Sequence, residues 1–388
     1  MPTKVNVVRV ALVVGVVLTL LTAGQSAAQG QGGYLPDELR RPFRRAMFTD
    51  ANSGYVYDVL GQTVIIATAD GGASWRLVMD IPLTQSPKAS TAAFFLDGST
   101  FWVLGDDGTL TRTTDGGRTF VEQRARVLDV SGRPVRLLCG GLFFRNLSDG
   151  WVACGDELLH TVDAGASWQR VKLPPRKELI FNIWFFNERE GMAVGDGAVR
   201  TDDGGQTWQA VGAAPERITE LSCSRSGFCV VNTHGPLFAS SDHGRTWANM
   251  NIPLKPGERD ELRGFQAVSA NLVVAVGRDT GETSQEFDRR MAVGGPRPPV
   301  RGLILKWDGS IWSRITHDQP HNFAGVFFVD ANYGWFPVSE NTIYKTTDGG
   351  QTLQFVPDYF RQIAALTPAE PPLVFDATPT PPPPTPTP

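Results

Sequence analysis

One eight-residue phrase recurs along the chain and constrains its fold more than any other feature. It has the form Ser/Thr-x-Asp-x-Gly-x-Ser/Thr followed by a large apolar residue. A degenerate copy, in which Lys replaces the first Ser or Thr, lies at Lys306–Trp312. Most steps between copies are 39 to 48 residues, a period that indicates a repeat architecture. The aspartates of the seven copies are Asp70, Asp115, Asp163, Asp203, Asp242, Asp308 and Asp348.

The residue types of the phrase predict a turn between two strands. An Asp carboxylate accepts hydrogen bonds from backbone N–H groups just ahead of it, and the glycines supply backbone angles with φ > 0. Thr, Ser and the closing Trp or Phe are good strand residues. A single Asp-Gly turn is common in any β protein, so the prediction depends on six good copies in phase.

The rest of each repeat also has the pattern of strands. Residues 142–144, 150–155 and 157–161 show the order: an apolar strand, a Gly-aromatic-Val strand and a short strand that enters the Asp turn. The strand after the turn makes four per repeat, and helical periodicity is nearly absent after residue 45. We therefore predict an all-β, seven-bladed β-propeller over residues 45–357. Phenylalanine pairs should be buried on both faces of the inner strands, at 94–95, 143–144 and 327–328.

The phrase resembles the Asp box, or BNR repeat, of sialidases, sortilin-type receptors and related propellers. The longer pattern, Phe-Phe and then Gly-Trp-Val ahead of the phrase, is most similar to the photosystem II stability and assembly factor family. This resemblance covers residues 45–357. It implies a non-enzymatic, monomeric propeller without a cofactor, whose partner is a protein, such as a membrane-protein complex under assembly.

The two ends of the chain differ from the repeats. Residues 1–28 read as a secretory signal, with Lys4 and Arg9 ahead of an apolar run and the small residues Ser26, Ala27 and Ala28 at its end. The alternative is a retained anchor. The signal predicts an exported protein, periplasmic, extracellular or lumenal, that is either free or surface-associated. Residues 29–44 read as a linker. No sustained basic stretch follows, so we expect no nucleic-acid partner.

Residues 358–388 form a tail rich in Pro and Thr, which cannot build a core. It reads either as an extended spacer or partner motif, or as a disordered end.

The four cysteines fall into two pairs, each placed to bridge the strands of one hairpin. Cys139 and Cys154 lie about a turn at 146–147, and Cys223 and Cys229 flank the turn at 225–227. Disulfides in these pairs fit an oxidising compartment, whereas buried free thiols are the alternative. The spacing of cysteines and histidines predicts no metal site.

Catalysis is the weaker hypothesis for this chain. A sialidase needs an arginine cluster, an acid and a Tyr nucleophile, and its early Phe-Arg-Ile-Pro motif is missing here. The recurring acids occupy turns on successive repeats, so we expect them to lie far apart. Tyr55, Tyr57, Tyr333 and Tyr344 fall in predicted strands. No phosphate loop or nucleophile motif is present.

Binding through loops is the stronger hypothesis, because function in propellers lies in loops on a rigid scaffold. The largest departure from the repeat is a charged 24-residue loop at 278–301, without predicted structure, which is either functional or disordered. Its candidate partner-binding residues are Arg289, Arg290 and Arg297. A second candidate contact, or a solvated linker, is the basic run Arg40, Arg41, Arg44 and Arg45.

The function we predict is that of a non-catalytic exported scaffold that binds a protein partner. A carbohydrate- or cell-surface-binding module of the same architecture is the first alternative, and a sialidase-like glycoside hydrolase is the second.

Overall fold

The computed structural model describes residues 43–58, 63–81, 90–105, 109–124, 139–174, 179–254, 261–279, 283–296, 301–316, 322–338 and 342–356. The predicted signal at 1–28, nearly all of the linker at 29–44 and the tail at 358–388 lie outside these residues. Arg40, Arg41 and Arg297 lie outside them as well.

Seven four-stranded antiparallel sheets make up the body, and each is built from four consecutive strands in chain order. We number the sheets as blades 1 to 7, so the predicted seven-bladed all-β propeller is confirmed. The strands are Arg45–Phe48, Gly54–Asp58, Thr63–Thr68 and Arg76–Ile81 in blade 1; Ser90–Phe95, Phe101–Gly105, Thr109–Thr113 and Val121–Arg124 in blade 2; Cys139–Phe144, Gly150–Cys154, Glu157–Thr161 and Gln169–Arg170 in blade 3; Ile180–Phe185, Gly191–Gly195, Ala198–Thr201 and Gln209–Ala210 in blade 4; Glu220–Cys223, Cys229–Asn232, Leu237–Ser240 and Ala248–Asn249 in blade 5; Glu261–Ser269, Leu272–Asp279, Arg301–Trp307 and Trp312–Thr316 in blade 6; and Phe327–Phe328, Gly334–Val338, Thr342–Thr346 and Gln354–Phe355 in blade 7.

The turns that contain the repeated aspartates all lie on one face of the propeller. In a four-stranded meander, the first and third turns are at the same end, so each Asp turn lies beside the first turn of its blade. Hydrogen bonds of 2.7–2.9 Å join the two turns in blades 1, 2, 3, 4 and 7, as from Gly204 N to Arg189 O. We call this end the Asp face.

The second strand of each blade is almost entirely buried. All residues of Gly150–Cys154 and Gly334–Val338 are buried, for example. The prediction that the phenylalanine pairs of the first strands are buried on both faces is wrong in part. Phe94, Phe95 and Phe327 are only half-buried, because the first strands border a central channel.

Aromatic stacking joins several neighbouring blades. An aromatic residue at the start of a second strand lies on a phenylalanine from the first strand of the next blade. The ring centroids are 3.5 to 4.1 Å apart in the pairs Trp102–Phe144, Trp151–Phe185 and Trp335–Phe48. The last of these pairs joins blade 7 to blade 1 and closes the ring of blades. It lies in a cluster with buried Val56, Ile343 and Trp75.

Basic side chains form a second set of links between blades. In each case a Lys or Arg donates to the carbonyl of the residue that follows the Asp-turn aspartate in the next blade. Lys345 Nζ bonds Gly71 O at 3.3 Å, Lys306 Nζ bonds Gly349 O at 3.1 Å, and Arg76 Nη2 bonds Gly116 O at 2.7 Å. Arg200 makes the same contact with His243 O. In these blades the Asp turn is therefore stabilised by a hydrogen bond from the preceding blade as well as by the bonds within the turn itself.

Both cysteine pairs form disulfides across the first two strands of a blade. Cys139 is joined to Cys154 in blade 3, and Cys223 is joined to Cys229 in blade 5. The members of each pair are also direct neighbours in the strand register.

The 278–301 insertion contains a helix, so the expectation of a loop without structure is wrong. The helix α1, Ser284–Val293, begins at Thr283, which forms a capping box with Glu286, and ends at Gly294 in the left-handed conformation. The cap residues are sufficient to define the ends of this short helix. Its sequence has no long apolar periodicity, which is the signal by which a helix is normally predicted. The insertion joins the second and third strands of blade 6, so it lies on the face opposite the Asp face.

Removing the aromatic anchor behind an Asp turn should destabilise the fold in proportion to its burial. Trp208 is 6% exposed, packs edge-on against Phe185 and donates to Gly205 O. In blade 3, Trp168 packs edge-on against Phe144 and donates to Gly165 O, but it is only half-buried. We expect Trp208→Ala to cost about 3–5 kcal/mol in the free energy of unfolding by urea, because a large buried side chain is lost. Trp168→Ala, the matched control, should cost less. A loss below about 1 kcal/mol for Trp208→Ala would contradict the anchoring role.

Peptide mapping of the non-reduced exported protein should recover Cys139 with Cys154 and Cys223 with Cys229. The same digest after reduction is the control. Four free thiols, or crossed pairs, would contradict the hairpin argument.

Candidate functional site

Each Asp turn uses the carboxylate of its aspartate in the same way. In blade 4, Asp203 Oδ1 accepts from Thr201 Oγ1 at 2.8 Å and from Thr207 N at 2.9 Å, while Oδ2 accepts from Thr207 Oγ1 at 2.5 Å. Thr201 Oγ1 in turn accepts from Gly205 N at 2.8 Å. Gly204 and Gly205 have φ of 77° and 92°, which confirms the prediction of positive φ at the glycine pair. The same bonds surround Asp70, Asp115, Asp163, Asp242 and Asp348.

These bonds keep the carboxylates ionised. The Thr207 hydroxyl and N–H lower the pKa of Asp203 to about 2, and Thr352 does the same for the pKa of Asp348. A carboxyl group with so low a pKa is a poor general acid at neutral pH. The repeated aspartates are therefore structural residues of the turns.

Asp308 of blade 6 occupies a shorter turn than its counterparts. Its Oδ1 accepts from the N–H groups of Ser310 and Ile311, both at 2.9 Å, and from the Ser310 hydroxyl. The Ile311 N–H is the main cause of the lowered pKa of Asp308. The degenerate copy of the phrase thus keeps the acceptor role of its aspartate and loses the flanking hydroxyl on the preceding strand.

A cavity of about 1100 Å³ runs along the first strands at the centre of the propeller. All seven blades contribute to its wall, and its lining extends from Arg44 and Arg45, at the start of blade 1, to Arg225 and Ser226, in the first turn of blade 5. Because first strands run towards the Asp face, these residues lie at opposite ends of the cavity.

The arginines of this lining are held in different ways. Arg145 lies 4.7 Å over the ring of Trp151, pairs with Asp149 and donates to Glu188 O of the next blade. Arg44 lies 3.7 Å from the buried carboxylate of Asp58. These contacts fix two guanidinium groups at the wall.

A charged cluster joins blades 4 and 5 beside the cavity on the Asp face. Glu190 bonds Arg245 at 2.6 Å and His243 at 2.9 Å, and the His243 ring stacks on Phe186. The Arg245 guanidinium, first among several partners, lowers the pKa of Glu190 to about 2. The cluster also contains Arg200 and Asp202, so two carboxylates balance two guanidinium groups.

The residues that the sequence singled out do not converge on one site. Arg289 is exposed and Arg290 half-buried on α1, while the Asp turns lie on the other face. Tyr55 and Tyr57 are buried, and the Tyr55 hydroxyl donates to Gly98 O of the next blade.

The cavity has no local motif in the sequence. Its signal is a phenylalanine at the end of the first strand in blades 1, 2, 3, 4 and 7, which can be recognised only when the repeats are aligned on their Asp turns.

Within the described ranges, no three His, Cys, Asp or Glu side chains are close enough to hold a metal ion. No helix of the same residues is long and apolar enough to cross a membrane.

The comparisons with known proteins establish one fold and give a match to one family model over part of the chain. The family model of the photosynthesis system II assembly factor YCF48 matches residues 79–227. A structure of YCF48 bound to a D1 peptide is 21% identical, with a TM-score of 0.53 over 69% of this chain and 83% of that chain. YCF48 from Cyanidioschyzon merolae is 16% identical, with a TM-score of 0.53 over 70% of this chain and 86% of the other.

A GH74 xyloglucanase from Xanthomonas campestris is also similar. It is 15% identical, with a TM-score of 0.58, and the match covers 81% of this chain and 54% of the enzyme. No curated protein matches the chain in sequence. The predicted resemblance to Asp-box propellers, and most of all to photosystem II assembly factors, is confirmed. At these identities the solved structures establish the fold, which assembly factors and glycoside hydrolases share.

The Asp-turn bonds should make stability depend on pH in the acid range. The folded-state pKa of Asp203, about 2, lies below its unfolded value, so its contribution is present above about pH 4 and is lost as the pH falls through about 2. We expect Asp203→Asn to lower the melting temperature at pH 7, with a difference from wild type that shrinks between about pH 4 and 2.

The control is Asp156→Asn, at an exposed turn position whose carboxylate bonds no described residue. An Asp203→Asn difference that is the same at every pH would contradict an ionised, hydrogen-bonded carboxylate.

Proposed function

We propose that this chain is an exported, non-catalytic β-propeller that binds a protein partner as an assembly scaffold. The proposal rests on one observation: the acids that recur in every repeat are bound within turns, whereas the largest departure from the repeat is a capped helix on the opposite face. The matched family model and the similarity to YCF48, one structure of which is bound to a D1 peptide, support a protein as the partner.

The helix α1 has the character of a contact surface. Met291 and Val293 are 57% and 76% exposed, beside the exposed Arg289. Exposed apolar side chains next to guanidinium groups are typical of protein interfaces, where Met and Arg are enriched. The capping box and the left-handed Gly294 preorganise the helix, which reduces the ordering cost of binding.

A non-enzymatic role is consistent with the roles of the side chains. The six regular Asp-turn carboxylates accept two or more hydrogen bonds each, and the buried tyrosines belong to the packing between blades. Two carboxylate–histidine pairs are described, Asp149 with His160 and Glu190 with His243. Each belongs to an ion-pair cluster, the first with Arg145 and the second with Arg245 and Arg200. The GH74 structures share the fold, and a shared propeller does not carry an activity with it.

The contact role of α1 can be tested by affinity capture from the native membrane fraction. Replacing residues 280–300 with a short Gly/Ser turn between Asp279 and Arg301 should leave the melting temperature nearly unchanged and abolish partner capture. Arg289→Glu with Arg290→Glu should weaken capture, more strongly at low salt, since exposed charges act through screened attraction.

The matched control for these variants is Arg289→Lys with Arg290→Lys, which keeps the charge. Capture that survives both the deletion and the charge reversal would place the contact elsewhere. Hydrolysis of a sialoside or another glycoside by the wild-type protein would contradict the non-catalytic role.

A further inference from the structure

The lining of the central cavity differs in charge from the rest of the chain. Its charged residues are five arginines and two glutamates, whereas the whole chain has a formal net charge of −4. The arginines are Arg44, Arg45, Arg145, Arg225 and Arg263, and the glutamates are Glu188 and Glu220. A recess whose lining carries an excess of positive charge attracts groups of the opposite sign.

Two of these arginines are available to a ligand. Arg45 and Arg225 are exposed, and neither makes an ion pair with a described residue. By the direction of the first strands, Arg45 lies at the end away from the Asp face and Arg225 at the Asp face. Arg263, in contrast, pairs with Glu261 at 3.1 Å, and Arg44 and Arg145 are paired with aspartates. An exposed guanidinium without a described ion-pair partner at each end of one recess is suited to an extended acidic ligand.

The wall between these ends is aromatic. Phe94, Phe143 and Trp184, from blades 2, 3 and 4, form a continuous row with ring centroids 4.9 and 5.4 Å apart. Phe94 and Trp184 are half-buried and line the cavity, as do Phe265 and Phe327 on the other side. Half-buried apolar rings that border a recess favour a ligand with a large apolar side chain.

We propose that the central cavity binds an acidic protein segment that carries a bulky apolar side chain. The segment lies along the first strands, with its carboxylates at Arg45 and Arg225 and its apolar side chain against the row Phe94, Phe143 and Trp184. The proposal rests on the proposed function, because it gives the chemistry of the partner's binding segment. It places a second contact at the centre of the propeller, apart from α1.

A protein segment fits this site better than an anionic membrane surface does. A flat bilayer reaches one rim of the cavity and does not contact rings along its wall. An extended chain of about twelve residues spans about 40 Å and passes both ends. Binding to anionic vesicles in place of peptides would therefore overturn the proposal.

The test is calorimetric titration of the purified full-length propeller with synthetic peptides of about twelve residues. The probe is rich in Asp and Glu and contains one Trp, with two controls: the same peptide with Ala in place of Trp, and a peptide with Lys in place of the acids. We expect saturable 1:1 binding of the probe, at least about tenfold tighter than either control and weaker at high salt.

Four variants locate the site. Arg45→Glu and Arg225→Glu should each weaken probe binding about tenfold, and Trp184→Ala should weaken it while Trp184→Phe, which keeps the ring, does not. Arg118→Glu, at a position that is also exposed and lies on the Asp turn of blade 2, is the charge control and should bind as the wild type does. Melting temperatures of all variants distinguish lost binding from lost folding.

Failure of this proposal and failure of the proposed function give different results. If membrane-fraction capture through α1 persists but no acidic peptide binds, the cavity proposal is wrong and the scaffold function stands. Equal binding of all three peptides, or binding that Arg45→Glu and Arg225→Glu leave unchanged, would also overturn the cavity proposal.

Discussion

Side-chain packing between neighbouring blades is the interaction on which the ring depends, and at three junctions it places an aromatic ring on a phenylalanine of the next blade. Each described blade is made of four consecutive strands, so no described strand belongs to two blades. The ring is joined through side chains and through backbone bonds such as that from Ile180 N to Gly155 O, between blades 4 and 3. The junction of Trp335 with Phe48 is the critical one, because it joins the last blade to the first with ring centroids 3.5 Å apart. Lys345 reinforces it by donating to Gly71 O.

The Asp turn follows from the same requirement. In each blade the carbonyl that follows the Asp-turn aspartate must lie at the same position, so that a side chain of the preceding blade can donate a hydrogen bond to it. The bonds from Thr201, Thr207 and Gly205 around Asp203 fix that geometry without help from other blades. The carbonyl after the aspartate is then free to accept from a Lys or Arg of the preceding blade. The structure of the turn thus explains why the phrase is repeated.

The repeat made most of the fold predictable from the sequence. The period of the aspartates and the Gly-Trp-Val pattern were sufficient to predict seven blades of four strands, and the positive φ at Gly204 and Gly205 followed from the residue types. The error at Phe94 and Phe327 has a physical reason, since a first strand lacks a neighbour on its channel side. The helix α1 was missed because its ten residues depend on local caps, Thr283 with Glu286 and Gly294, rather than on an apolar period.

The candidate sites were less predictable than the fold. Arg289 and Arg290 stood out because they interrupt the repeat, whereas Arg45, Arg225 and Trp184 lie within it and become neighbours of one cavity only when the ring closes. A site assembled from seven separate strands leaves no local motif in the sequence.

Site-specific photo-crosslinking in native membranes tests most directly the claim that partners contact α1 and the central cavity and not the Asp turns. A crosslinking residue at Met291 on α1, at Ser226 beside the cavity, or at Ala166 in the Asp turn of blade 3 samples three exposed positions. The account predicts discrete protein adducts from Met291 and Ser226 and none above background from Ala166. Adducts from Ala166 alone would contradict it.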